Sequence, residues 1–354
     1  MSLSLLASPW TTDRRSSAAF DIPPADKAAI TKLISFPRRD FIDANISFPR
    51  KHHDKVRSSL LGPFEKEPSA DLGALAKLPL ELLGQILLHH VDIGSVIAFR
   101  KINRRARHVT DSLHEYKAVT IHGLDFLCAL LRTGFASHDE KTLASVHTLL
   151  CEKSCSVCGH FAGFVSLLYW TRCCFTCLQF SPELRVLLIS PAFYQPGRTP
   201  AQLEGLTYQL RSLPGRYTTS ATGFWGPIRH YLSAYHLVDN TLEARTLGRP
   251  LPEAKSMCQH MAACALPFLE KQSGEIEAGV ACAGCQLALS KDLQSDNFTQ
   301  RAHDVAERMY TKDGLLEHFR WCRWAQVLWK SSGGGQFTPP EMPLVAKMEK
   351  LYAQ

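Results

Sequence analysis

The chain's strongest constraint is a pair of cysteine knuckles: Cys155-x2-Cys158 is followed, after fifteen intervening residues, by Cys174-x2-Cys177. A Cys-x2-Cys step makes a tight turn that points two thiolates at one ion, and two such steps complete a tetrahedron. Gly159, directly after the first pair, supplies the backbone freedom such a turn uses. Cys151, Cys173 and His160 are neighbouring alternatives, so the spacing fixes the presence of a site more firmly than its register. A second set joins Cys282-x2-Cys285 to His318 and Cys322, four apart in a helix predicted over 314–329 and therefore on one face of it. Cys258, His260 and Cys264 form a looser nearby group that could contribute a ligand instead. With every coordination position filled by protein, neither ion can activate water, so the expectation is two structural zinc ions.

The chain has 12 cysteines in 354 residues. Met1 to Trp10 lacks the basic and continuous apolar segments of an export signal, and reducing compartments keep thiols available for metal rather than for disulfides. No apolar run approaches the roughly 20 residues of a membrane span. A cytoplasmic or nuclear protein, with no membrane partner, is expected. The formal net charge of +7 is spread along the chain, without the dense basic tract of a dedicated nucleic-acid binder. None of the phosphate-cradling, nucleophile-elbow or zinc-protease motifs occurs, which points away from an enzyme.

The expected fold class is mainly α. Residues 1–70 are rich in Ser, Pro and mixed charge, including the similar segments Ser35-Phe36-Pro37-Arg38 and Ser47-Phe48-Pro49-Arg50, and read as a disordered arm. Residues 72–115 read as a small helical module. Leu78-Pro79 opens an apolar stripe through Leu80, Leu82, Leu83, Ile86 and Leu87; Asp92 caps a second helix with Ile93, Val96 and Ile97; and a further stripe runs through Phe99, Ile102, Ala106, Val109 and Leu113. Such short helices are stable only when their stripes are buried. Residues 116–180 hold further helical pieces around Leu124–Leu131 and Leu143–Leu150, then the first zinc module, an α+β cysteine-rich region. Residues 181–255 form an irregular Pro-rich segment, 256–332 carry the second zinc module with a long C-terminal helix, and 333–354 form a tail.

The stretch from Leu78-Pro79-Leu80-Glu81-Leu82-Leu83-Gly84-Gln85-Ile86-Leu87 through Asp92-Ile93-Gly94-Ser95-Val96 to Arg107 resembles an F-box. Together with the cysteine-rich region after it, it resembles a group of fungal F-box-containing proteins. The resemblance implies docking onto the Skp-type adaptor and cullin complex of an SCF ubiquitin ligase through Leu78, Pro79, Leu82, Leu83, Ile86, Leu87, Ile93 and Val96. It also implies that the rest of the chain presents an unidentified protein substrate. The competing expectation is a zinc-ribbon nucleic-acid-binding protein that uses Arg100, Lys101, Arg104, Arg105 and Arg107, although such a charge run is more commonly a solvated helix face. A RING-type ligase is disfavoured because the two ligand sets are not interleaved in one short unit.

Overall fold

Helix boundaries in the first half follow the capping chemistry. Asp92 accepts a hydrogen bond from the Ser95 amide and opens the helix Ile93–Arg100, while Asn103 does the same through the Ala106 amide for Arg104–Ser112. Thr142 caps Leu143–Cys151, and Gly134, at φ +76°, ends Leu124–Thr133 in the left-handed region. The computed structural model describes residues 14–48, 60, 68, 70–137, 141–188, 209–218, 229–232, 236–239, 258–294 and 300–352. The fold is mainly α with small antiparallel sheets. No described helix is long and apolar enough to cross a membrane.

Two units divide the chain. The larger covers the described parts of Asp40–Cys173 and Cys177–Ile276. Its core joins Leu83, Leu87, Ile93 and Val96 to Val119, Phe126, Leu130, Leu143, Val146 and Leu150, so the helices Leu80–His89 through Leu143–Cys151 share one interior. Residues 72–115 are therefore not a separate module: their inward stripe is completed by the helices that follow. Ile102, expected on that stripe, is exposed, because the helix ends at Arg100 and Ile102 lies in the turn before the Asn103 cap of the next helix. The strand Phe164–Ser166 lies between Thr171–Cys173 and Ala263–Ala265, antiparallel to both. Within 181–255 the described segments form small antiparallel sheets, Val186–Leu188 with His236–Asp239 and Gln209–Arg211, and Gly215–Thr218 with Arg229–Leu232.

The smaller unit holds the described parts of Met1–Arg39, Cys174–Thr176 and Glu277–Gln354. Here the structure differs from the expected arm. Lys27–Ile34 is a helix with Ile30 and Ile34 fully buried, and Ser35–Phe36 is an edge strand paired with Val280–Cys282, whose other neighbour is Met309–Tyr310. In the larger unit, Phe41 and Ile46 are likewise buried. Pattern reading missed this order because the pairing partners lie at the opposite end of the chain. The similar segment from Ser47 runs past Phe48 outside the described residues. The expected tail is also ordered in part, as Leu344–Tyr352 is a helix that buries Ala346 alongside Met342.

The long C-terminal helix is in fact two, Lys312–Trp321 and Arg323–Ser331, with Cys322 extended between them at φ −83°, ψ 99°. A helix end buried without partners would strand carbonyls. The Gln326 side chain supplies them, donating to the Phe319 and Arg320 carbonyls at 3.1 and 2.9 Å, while its own carbonyl accepts from Ser16 Oγ at 2.7 Å.

Candidate metal centres

The first centre is built on a hairpin. The Cys155 amide donates to the His160 carbonyl at 2.7 Å and the Gly159 amide to the Cys155 carbonyl at 2.9 Å, closing a knuckle in which Gly159 takes φ +74°. Thr171–Cys173 then leads into the short helix Phe175–Phe180, and the second Cys-x2-Cys step straddles that strand-to-helix junction. The sulfurs of Cys155, Cys158, Cys174 and Cys177 all lie within 4.8 Å of one another, so the group could hold a metal ion. Cys155 is buried, Cys174 and Cys177 are half-buried, and Cys158 is exposed with His160 Nδ1 at 3.2 Å from its sulfur.

Arg172 anchors this hairpin and has no exposed surface. Its guanidinium donates to the carbonyls of Glu152 and Ala162, which flank the knuckle, and to those of Leu266 and Pro267, at 2.6–3.1 Å. Its own carbonyl accepts from the Ser156 amide. Burial lowers its pKa to about 10, so it stays charged at neutral pH. Each charge-assisted bond contributes about 1.5–3 kcal/mol, which offsets the desolvation that would otherwise expel the side chain.

The second centre repeats the strand-to-helix design. Cys282 ends the strand Val280–Cys282, and Cys285 sits in the first turn of Ala283–Gln294. His318 comes from the last turn of Lys312–Trp321, and the extended backbone at Cys322 turns its thiol to the same point. The two residues therefore converge across a helix break, not along one helical face. Cys285 Sγ lies 3.2 Å from His318 Nε2 and 3.9 Å from Cys322 Sγ, and all four ligand atoms fall within 4.8 Å of one another. Ile30, Ile34, Leu315 and Phe319 pack around them.

Gly284 is what lets the elements close. A Cβ at this position would stand 2.2 Å from the Ala325 backbone nitrogen. The thiols are mutually dependent: hydrogen bonds from Cys285 and Cys322 hold the Cys282 pKa well below the usual thiol value, while the same interaction with Cys282 holds theirs well above it.

The alternative ligands lie elsewhere. Cys173 is buried on its strand, and Cys151 faces His147 at 3.7 Å. His260 is buried against Asn45 Oδ1 at 3.0 Å, where desolvation pushes its pKa down to about 4, and Cys264 sits in the same core with its thiol directed to the Ala265 carbonyl. Neither metal group contains any of these side chains, or Cys258.

The F-box-like helices split by face. Leu83, Leu87, Ile93 and Val96, four of the eight residues the resemblance names, are buried in the chain's own core. Pro79 is exposed, Leu78 half-buried, Leu82 is 54% exposed and Ile86 37%. Leu75 and Leu80 are exposed beside them and, with Leu72, Leu78 and Arg105, line a cleft. The exposed pair Leu82 and Ile86 follows from i, i+4 spacing. Of the basic run, Arg100 is buried and bonded to Asp111 at 2.6 and 3.1 Å, and Arg107 reaches the same carboxylate at 3.6 Å.

Compared with protein-family models, with curated proteins and with solved structures, the chain matches none.

Proposed function

We propose that this chain is a non-catalytic adaptor of an SCF-type ubiquitin ligase. In this reading it docks onto a Skp-type adaptor through the outward face of the helix Leu80–His89 and holds a substrate-presenting region in shape with two structural zinc ions. The observation that carries it is the pair Leu82 and Ile86, kept in solvent while the opposite face of the same helix anchors in the core through Leu83 and Leu87. A helix that buries one apolar face and leaves another exposed beside a cleft suits a partner surface.

Zinc is favoured by donor chemistry. A set of four thiolates, or of three thiolates and one imidazole, is that of tetrahedral structural zinc. Bonds of about 2.3 Å at the tetrahedral angle separate two sulfurs by about 3.8 Å, close to the 3.9 Å between Cys285 and Cys322. Complete protein ligation leaves these ions no open position for chemistry. The nucleic-acid reading is weaker, since Arg100 and Arg107 are both engaged by Asp111; binding to RNA or DNA that falls steeply with salt would favour it.

Ile86→Asp provides the test. A charge set into an apolar interface lacks a partner and is expected to cost about 2–4 kcal/mol, the range of an interface anchor. Co-purification with a Skp-type adaptor should fall to background while the melting temperature stays near that of the parent. Undiminished co-purification would remove docking through this face.

A further inference from the structure

The helices His114–His122 and Leu143–Cys151 pack against each other, with the first residue of one beside the last turn of the other. His147 and Cys151 stand four residues apart on the second helix and so share a face, with Nε2 3.7 Å from Sγ. Across the contact the His114 ring meets that of His147 edge to face, with ring centres 5.8 Å apart and planes at 78°. His114 is exposed, and His147 and Cys151 are half-buried. Among the described residues, these side chains make no hydrogen bond apart from the contact between His147 and Cys151. A thiol and two imidazoles that brace nothing else thus share one solvent-facing patch, and they are donors suited to a transition metal.

We infer that Cys151, His147 and His114 form a third metal site, open and exchangeable, for a divalent cation of the zinc class. The spacing fits. A sulfur bonded at about 2.3 Å and a nitrogen at about 2.0–2.1 Å to one tetrahedral ion lie about 3.5 Å apart, and two imidazoles so bonded hold their ring centres roughly 5–6 Å apart. The observed separations are 3.7 and 5.8 Å. Among the described residues only the two cysteine-rich groups already bring every donor within 4.8 Å, so the exposed His114 ring turns about its side chain to complete the set. The surrounding charges oppose one another: Glu115 and Glu270 favour a cation, while Lys271 and Arg172 disfavour it. Three protein donors leave the fourth position to water or to a donor on a bound partner. With one thiolate and an open side, the site is weaker than either closed centre and empties on dialysis while they stay filled.

The full-length protein is saturated with zinc, dialysed, and titrated with cobalt(II), which stands below zinc in binding strength and so fills an empty site without displacing bound zinc. One equivalent of cobalt is expected to bind, with a thiolate-to-cobalt absorption supplied by Cys151. Losing even an outer-shell partner costs about 10- to 100-fold in metal affinity, so losing a ligand costs at least as much. Cys151→Ser is expected to abolish the absorption, and His147→Gln and His114→Gln to weaken cobalt binding by that margin, with retained zinc unchanged in all three. His114 is exposed at the start of its helix, so His114→Gln leaves the fold intact and is the deciding variant. A parent without the thiolate-to-cobalt absorption overturns the inference. So does an absorption that persists in Cys151→Ser, which places the cobalt on other thiols, or an affinity unchanged in His114→Gln or His147→Gln.

Discussion

Exhaustive chelation of the purified protein is expected to unfold the segments around both cysteine clusters while leaving the helical core folded. The magnitudes decide this. A structural zinc ion contributes an apparent binding energy of roughly 10–16 kcal/mol in small zinc-dependent folds, whereas a whole domain is typically stable by only about 5–15 kcal/mol. Without its ion, the second centre would leave three buried thiols and an imidazole facing one another. The helices Leu80–His89 through Leu143–Cys151 differ because their core is built on Leu83, Ile93, Val96, Phe126 and Leu130, with no ligand among them. Amide exchange should therefore show protection lost over 153–180 and 280–331 and retained over 80–150. Protection unchanged across all three segments would contradict zinc bracing.

Gly284→Ala carries the next largest effect, and two opposing terms set its sign. Alanine is favoured over glycine within a helix by about 1 kcal/mol. Against that, the new Cβ would lie 2.2 Å from the Ala325 nitrogen and 2.6 Å from its Cα, backbone atoms that cannot swing aside. The helices Ala283–Gln294 and Arg323–Ser331 must then separate, costing more than the roughly 1–3 kcal/mol of ordinary overpacking. Separation also pulls Cys285 from Cys322, now 3.9 Å apart. Bound metal is expected to fall from two ions to one per chain, with a lowered melting temperature. A variant that keeps both ions would show that the close approach does not assemble the site. Gly159 makes a useful contrast, since it has φ +74° but open space around it, so a side chain there meets backbone strain without a clash.

What could be read from sequence was local. The knuckle turn at Gly159, the Asp92 cap and the i, i+4 stripes depend on residues within one or two turns of each other, and the helices they imply are present. The ligand atoms of both sets converge as the Cys-x2-Cys spacing suggested. What escaped was long-range or hidden in a single residue. Ile30, Leu33 and Ile34 stand at helical spacing and could have signalled that residues 14–48 are ordered, but the strand partner of Ser35–Phe36 lies at Ala281 and Cys282. The helix break at Cys322 left no mark in propensity, because the Gln326 side chain stabilises it by donating to the Phe319 and Arg320 carbonyls. Resemblance named eight docking residues without separating the faces of a helix, and burial assigns four of them to the core.

The decisive quantity is metal bound per chain, counted by elemental mass spectrometry on the full-length protein and on Cys158→Ser, Cys285→Ser and the double variant. Two structural centres predict two zinc ions in the parent, one in each single variant and none in the double. A parent that binds no zinc, or single variants that still hold two, would contradict the picture of a chain braced by two thiolate-bound ions.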